Sequence, residues 1–79
     1  MQEKHSDRRV RKSKEALREA LLRLIPQKGY DAIRIQDIAD EADTARVTFY
    51  RHYKDKDELL LDALEQVYLQ LIAQFEVIP

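Results

Sequence analysis

Glycine occurs once and proline twice among these 79 residues, and cysteine does not occur. That scarcity limits the fold more than any other feature. Gly and Pro are the strongest breakers of regular structure, so few breaks are available. Where a period can be read, it is the 3–4 spacing of a helix face. Without cysteine there is no disulfide framework and no thiolate metal site. Apolar residues make up 44% and charged residues 37% of the chain. That balance suits one soluble helical domain rather than a disordered chain, and the length permits only a modest core. No uncharged apolar run approaches the roughly 20 residues of a membrane span. "MQEKHSDRRVRKSK" has basic residues but no apolar stretch behind them, so it does not read as a signal peptide. A reducing cytosol is the expected location.

The segment "SKEALREALLRLIPQKG" reads as a first helix from Ser13, with Leu17, Ala20, Leu21, Leu24 and Ile25 on one face. Pro26 is awkward in a helix interior and is expected to kink or end it, with Gly29 at a left-handed position just past the end. Residues 1–12 are expected to form a flexible basic arm. "YDAIRI" is a short connection, and residues 36–42 form a second helix of about two turns. "ADT" at 42–44 reads as a tight turn. Asp43 stands where a left-handed backbone is needed, because Asp tolerates that conformation better than most residues. Thr44 is then the expected N-cap of a third helix over 45–52, with Phe49 and Tyr53 packing inward.

Asp55 and Glu58 stand three apart at the start of a fourth helix, an Asp version of the capping box. Leu60, Leu64, Val67, Leu71 and Phe75 form one stripe of that helix, and Leu61, Tyr68 and Ile72 a neighbouring one. This apolar surface is broader than a small three-helix core can cover, which implies a further partner for its C-terminal half.

Charge is unevenly placed. Residues 1–34 hold ten Lys/Arg and five Asp/Glu, whereas residues 35–79 hold four and ten. All four late cations, Arg46, Arg51, Lys54 and Lys56, fall within 44–56, where Asp55 is the lone acid. Two basic islands, 8–18 and 44–56, therefore stand in an otherwise acidic molecule. Such islands are common as solvated helix faces. Two of them beside a pair of short helices point instead to a polyanion.

Enzymatic chemistry has no residue set behind it. The two histidines, His5 and His52, have no partner at metal-ligand spacing, and no glycine-rich phosphate loop exists. No metal or cofactor is expected. Asp37, Asp40 and Glu41 read as solvation of a short helix. Two short helices joined by a turn of about three residues have the dimensions of a helix-turn-helix, whose second helix enters the major groove. The expected fold is all-α: a three-helix, homeodomain-like helix-turn-helix domain over 13–55, then a long fourth helix over 56–79. Arg46 suits guanine, and the Thr48 methyl suits thymine. Thr44, Tyr50, His52, Lys54 and Lys56 would follow on phosphates, which position the protein while base edges specify. The competing reading is a protein-interaction module working through the apolar face of the fourth helix.

"GYDAIRIQDIADEADTARVTFYRHYKDKDELL" resembles the N-terminal DNA-binding domain of TetR/AcrR-family transcriptional repressors. The resemblance rests on Gly29, Tyr30, Ile38, Ala39, Thr48, Phe49, Tyr50, His52, Tyr53, Lys56 and Leu59, in order, and covers about residues 10–65. It implies a bacterial, cytoplasmic, nucleoid-associated repressor. Full-length, this would be a homodimer on a palindromic operator, released by a small-molecule effector bound to a C-terminal domain. It also implies Tyr50, His52 and Lys56 on phosphates, Ala45, Arg46 and Thr48 on the recognition face, and Gln36 in reach of a base. Three positions depart from the pattern: Asp43 replaces the usual turn glycine, Arg34 the usual Thr before the second helix, and Ala45 is too short to hydrogen-bond a base. The 79 residues are expected to behave as an isolated headpiece, monomeric at low concentration.

Overall fold

A computed structural model describes the backbone of residues 3–77 and the side chains of residues 8–75. Every regular element among the described residues is helical: α1 (Glu3–Lys28), a single 3-10 turn (Tyr30–Ala32), α2 (Ile35–Glu41), α3 (Arg46–His52) and α4 (Lys56–Val77). This is the all-α helix-turn-helix arrangement with a long fourth helix that the breaker-poor sequence implied.

α1 packs against each of the other three helices and acts as the scaffold. Its inward face is Leu17, Ala20, Leu21 and Leu24, as the periodicity predicted. Ile38 and Ala39 from α2, Phe49 from α3, and Leu59 and Ala63 from α4 close over it, with Ile33 and Tyr53 filling the connections. Phe49, Leu17, Leu21, Ile38 and Leu59 are the largest fully buried side chains. Ala39 and Ala63 are small where helices approach closely.

Four expectations change. The expected flexible arm over 1–12 is instead helix from Glu3 onward. Its many Arg, Lys and Glu residues are good helix formers, and nothing in it breaks a helix. Pro26 lies inside α1 without ending it, and the Gly29 N–H closes the last turn on the Ile25 carbonyl at 2.8 Å. Gly29 has φ 78 and ψ 148, a positive-φ state but not the left-handed helical one. No atom lies within 4 Å of where a Cβ would stand, so backbone conformation alone requires glycine there.

The third change is in α4. The residues that face the core are Leu59 and Ala63, one position before the stripe read from sequence, with Leu60 only partly packed. Leu61, Leu64, Val67, Tyr68, Leu71 and Phe75 are exposed. Periodicity locates an apolar face but not its centre when apolar residues cover most of the circumference. The fourth concerns the acids of α2, which do more than solvate it. Asp37 accepts the Arg34 N–H at 2.9 Å and Lys28 Nζ at 3.0 Å, Glu41 accepts Arg23 Nε at 2.8 Å, and Asp40 accepts the Gln36 amide at 2.9 Å. Asp37 thereby satisfies the N–H of the N-cap residue Arg34, whose own side chain has no acceptor to offer the first turn.

Candidate nucleic-acid interface

The turn between α2 and α3 aims everything that follows. The Thr44 N–H donates to the Ala39 carbonyl at 2.9 Å, and the Asp43 N–H donates to the Asp40 carbonyl at 3.1 Å. This crossed pair is a Schellman motif, with Asp43 in the left-handed position at φ 58. The sequence expectation for Asp43 is met. The expectation for Thr44 needs correction: the N-cap of α3 is Ala45 (φ −77, ψ 151), which has no side-chain oxygen to offer. The Schellman turn consumes Thr44 as its closing residue, so the helix starts one position later. The first turn of α3 consequently has no side-chain cap.

Phe49 is fully buried and fixes the rotation of α3 about its axis. Tyr53 ends the helix and is also buried. Its hydroxyl donates to Asp62 on α4, whose carboxylate also accepts Arg18 of α1 at 3.3 Å and the Gln66 amide at 3.4 Å. One carboxylate therefore ties α1, α3 and α4. Burial pushes the Asp62 pKa up, but Tyr53 and Arg18 outweigh it and the net direction is down. Burial and the Asp62 hydrogen bond push the Tyr53 hydroxyl well above its ordinary range.

With Phe49 inward, Arg46, Val47, Tyr50 and Arg51 are exposed on α3. The Tyr50 ring stacks edge-on against Phe49 at 5.3 Å, which holds it at the surface. Thr48 and His52 are half-buried and turn toward α1. There Thr44, Thr48, Arg51 and His52 face Arg9, Val10 and Ser13 of α1 across an open groove of about 340 Å3. Burial, then the nearby charges of Lys14 and Arg51, lower the His52 pKa, so its imidazole is neutral at neutral pH and can donate a single N–H.

The residues singled out in the sequence fall into three groups. Thr44, Thr48 and His52 meet in the groove. Arg46, Tyr50 and Lys54 are exposed on or just after α3, and no described carboxylate pairs with either cation. Gln36 and Lys56 stand apart. Gln36 is exposed on α2 with its amide held by Asp40. Lys56 turns back into the protein: its Nζ donates to the carbonyls of Tyr30 at 2.8 Å and Ile33 at 2.9 Å and lies 4.3 Å from the Tyr30 ring centroid. Two of its three N–H donors hold the connection between α1 and α2 against the start of α4. Asp55 accepts the Glu58 N–H at 2.9 Å as expected, but Glu58 reaches past Asp55 to the Lys54 N–H.

Val47, Arg51, Arg9 and Ser13 join this surface without having been singled out. Arg51 was legible in the basic island. Val47 was not, because an apolar residue is read as core by default. Arg9 fell in the expected arm and Ser13 at the expected start of the first helix, so neither was placed opposite α3. No group of three or more His, Asp or Glu that could hold a metal occurs among the described residues, and none of their helices is long and apolar enough to cross a membrane.

Comparisons with known proteins bear on the helical arrangement as a whole. Residues 17–63 match the family model of bacterial regulatory proteins, tetR family. The chain is 39% identical over 71 residues to the HTH-type transcriptional regulator YxbF of Bacillus subtilis, covering 89% of this chain and 19% of that protein. It is 28% identical over 72 residues to the HTH-type transcriptional regulator TcmR of Streptomyces glaucescens, covering 91% of this chain and 32% of TcmR. It is 30% identical over 64 residues to the HTH-type transcriptional repressor KstR of Mycobacterium tuberculosis, covering 81% of this chain and 29% of KstR. The chain thus spans a third or less of these relatives. No solved structure matches at comparable significance.

Proposed function

This chain belongs to the tetR family of bacterial regulatory proteins, and from that premise we propose that it is the DNA-binding headpiece of a transcriptional repressor. The observation that carries this reading is the outer face of α3. Arg46 and Arg51 have no carboxylate partner among the described residues, Tyr50 stands beside them, and a buried Phe49 sets their direction.

α3 enters the major groove by its N-terminal end. Arg46 and Thr48 reach base edges, with Gln36 joining if DNA draws its amide away from Asp40. Thr44, Tyr50, His52 and Lys54 hold phosphates. Lys56 keeps one N–H for a phosphate while its other two brace the Tyr30–Ile33 connection. In the whole protein, two headpieces of a homodimer read a palindromic operator in the bacterial cytoplasm. A small-molecule effector acts through a domain C-terminal to this segment. The word repressor appears in the name of KstR, and its extension to this chain belongs to the proposal.

The test is fluorescence anisotropy with a labelled random-sequence duplex across a salt series. Binding should weaken with salt, log K falling by about 0.9 per phosphate neutralised and reaching a slope of roughly −3 to −5. No binding at the lowest salt would sink the headpiece reading. The exposed apolar residues of α4 support a second reading, a docking surface for protein. Charge reversal at Arg46 and Arg51 would leave such docking intact while abolishing DNA binding.

A further inference from the structure

The groove between α1 and α3 joins two segments that the chain keeps far apart. Arg9 and Ser13 stand four residues apart on one side of α1, so they share a helix face. Opposite them are Arg51, His52, Thr44 and Thr48. Among the described residues no acidic side chain lines the groove, and no described carboxylate pairs with either arginine. The groove therefore offers two guanidinium groups, three hydroxyls and one imidazole N–H. Guanidinium forks and hydroxyl donors are the chemistry that phosphate oxygens select. The groove also opens beside the outer face of α3.

We infer that this groove seats a backbone phosphodiester of bound DNA, with Arg9 and Ser13 of α1 and Arg51 of α3 as its ligands. The inference rests on the DNA-binding reading above and extends the footprint from the helix-turn-helix onto α1. The helical state of residues 8–13 is central to it. A flexible arm would add charge without position, whereas a helix continuous with the core places Arg9 at a fixed distance from Arg51. The contact is to the sugar–phosphate backbone, so it raises affinity equally for all sequences and sets how α3 is tilted in its groove.

Arg11 is the internal control. It lies two residues from Arg9 on the same helix, but lines a different depression with Arg18 and with Gln66 of α4. Arg9→Gln and Arg11→Gln remove the same charge from almost the same place. The experiment is the anisotropy salt series on the full 79-residue chain with a labelled random-sequence duplex, with helicity checked by circular dichroism. Arg9→Gln should weaken binding on the order of three- to tenfold at low salt and flatten the salt slope by about 0.9, whereas Arg11→Gln should leave the slope unchanged. Arg9→Lys, which keeps the charge, should restore the slope. Ser13→Ala should weaken binding on the order of threefold with the slope intact, because a neutral donor displaces no counterion.

Equal slopes for Arg9→Gln and Arg11→Gln would overturn the inference, as would an unchanged affinity for Ser13→Ala. In either case wild-type binding would leave the headpiece reading standing. A wild-type chain that ignores DNA would remove both.

Discussion

α2 and α3 are each seven residues long, adjacent in sequence and built into one motif, yet they use their polar side chains in opposite ways. In α2 every carboxylate has a partner within the chain: Asp37 with Arg34 and Lys28, Asp40 with Gln36, Glu41 with Arg23. In α3 no side chain caps the first turn, and Arg46 and Arg51 have no carboxylate partner among the described residues. α2 spends its polar groups on staying in place, and α3 holds its own in reserve. A surface helix that satisfies its charges internally gains little from a polyanion. One that leaves cations unpaired on a fixed face is prepared for it.

The strongest way to break this contrast is charge reversal on α3. Arg46→Glu with Arg51→Glu removes two contacts and adds repulsion, and should reduce DNA affinity by on the order of 100-fold or more. Both residues are exposed, so thermal stability should change by less than about 0.5 kcal/mol. Charge reversal in α2, for example Glu41→Lys, should do the converse: a small loss of stability, up to about 1 kcal/mol for an exposed pair, with DNA affinity kept. If both helices respond alike, the division of labour is wrong.

The next effect concerns what holds α3 at its angle. Asp62→Ala leaves the Tyr53 hydroxyl and Arg18 without their acceptor and should cost about 2 kcal/mol. The same junction predicts a pH profile. Asp62 has a lowered folded pKa, so its contribution is present above the unfolded value of about 3.9 and is lost as pH falls through the folded one. Tyr53 has a raised folded pKa, so its contribution is complete below the unfolded value of about 10 and is lost as pH rises. Denaturant unfolding across pH should show both limbs. Tyr53→Phe should flatten the alkaline limb.

Lys56 tests where the boundary between the two behaviours runs. It was expected among the phosphate contacts, but its ammonium bridges the Tyr30 and Ile33 carbonyls. Lys56→Gln should cost about 1–2 kcal/mol, as two charge-assisted hydrogen bonds and a cation–π contact are lost. An unchanged salt slope would place Lys56 with the braced residues of α2. A slope flatter by about 0.9 would show that its third N–H serves DNA as well.

These cases show what was legible in the sequence. The core of α1, the inward turn of Phe49 and Tyr53, and the left-handed Asp43 all follow from period and backbone preference, which act locally. Lys56 was not legible, because its partners lie 26 and 23 residues away and are main-chain carbonyls that carry no sequence signal. Thr44 was one position out, because its N–H closes the Schellman turn on the Ala39 carbonyl and the N-cap falls to Ala45. Arg9 and Ser13 were missed because only the three-dimensional course of α1 brings them opposite Arg51.

The smallest predicted effect lies at the hinge of the comparison, in the turn that separates the tied helix from the free one. Asp43 is the one non-glycine residue with positive φ among the described residues, and its side chain makes no hydrogen bond to any of them that would offset the strain. A left-handed backbone costs an ordinary L-residue about 1–2 kcal/mol, and Asp is among the more tolerant. Glycine would relieve that strain but loses more entropy on folding, by about 0.4–1 kcal/mol. The net gain for Asp43→Gly should be about 0.5 kcal/mol, a Tm rise of roughly 2–4 °C for a domain of this size. The substitution also removes a negative charge from the turn that leads into α3, which should raise DNA affinity about twofold at low salt. Asp43→Asn separates the two contributions, since Asn also tolerates the left-handed state but carries no charge. If Asn reproduces the affinity gain without the Tm gain, Asp43 acts on DNA through its charge and on the fold through its backbone. If Asn changes neither while Gly changes both, the turn's geometry governs how α3 is presented, and charge beside it is immaterial.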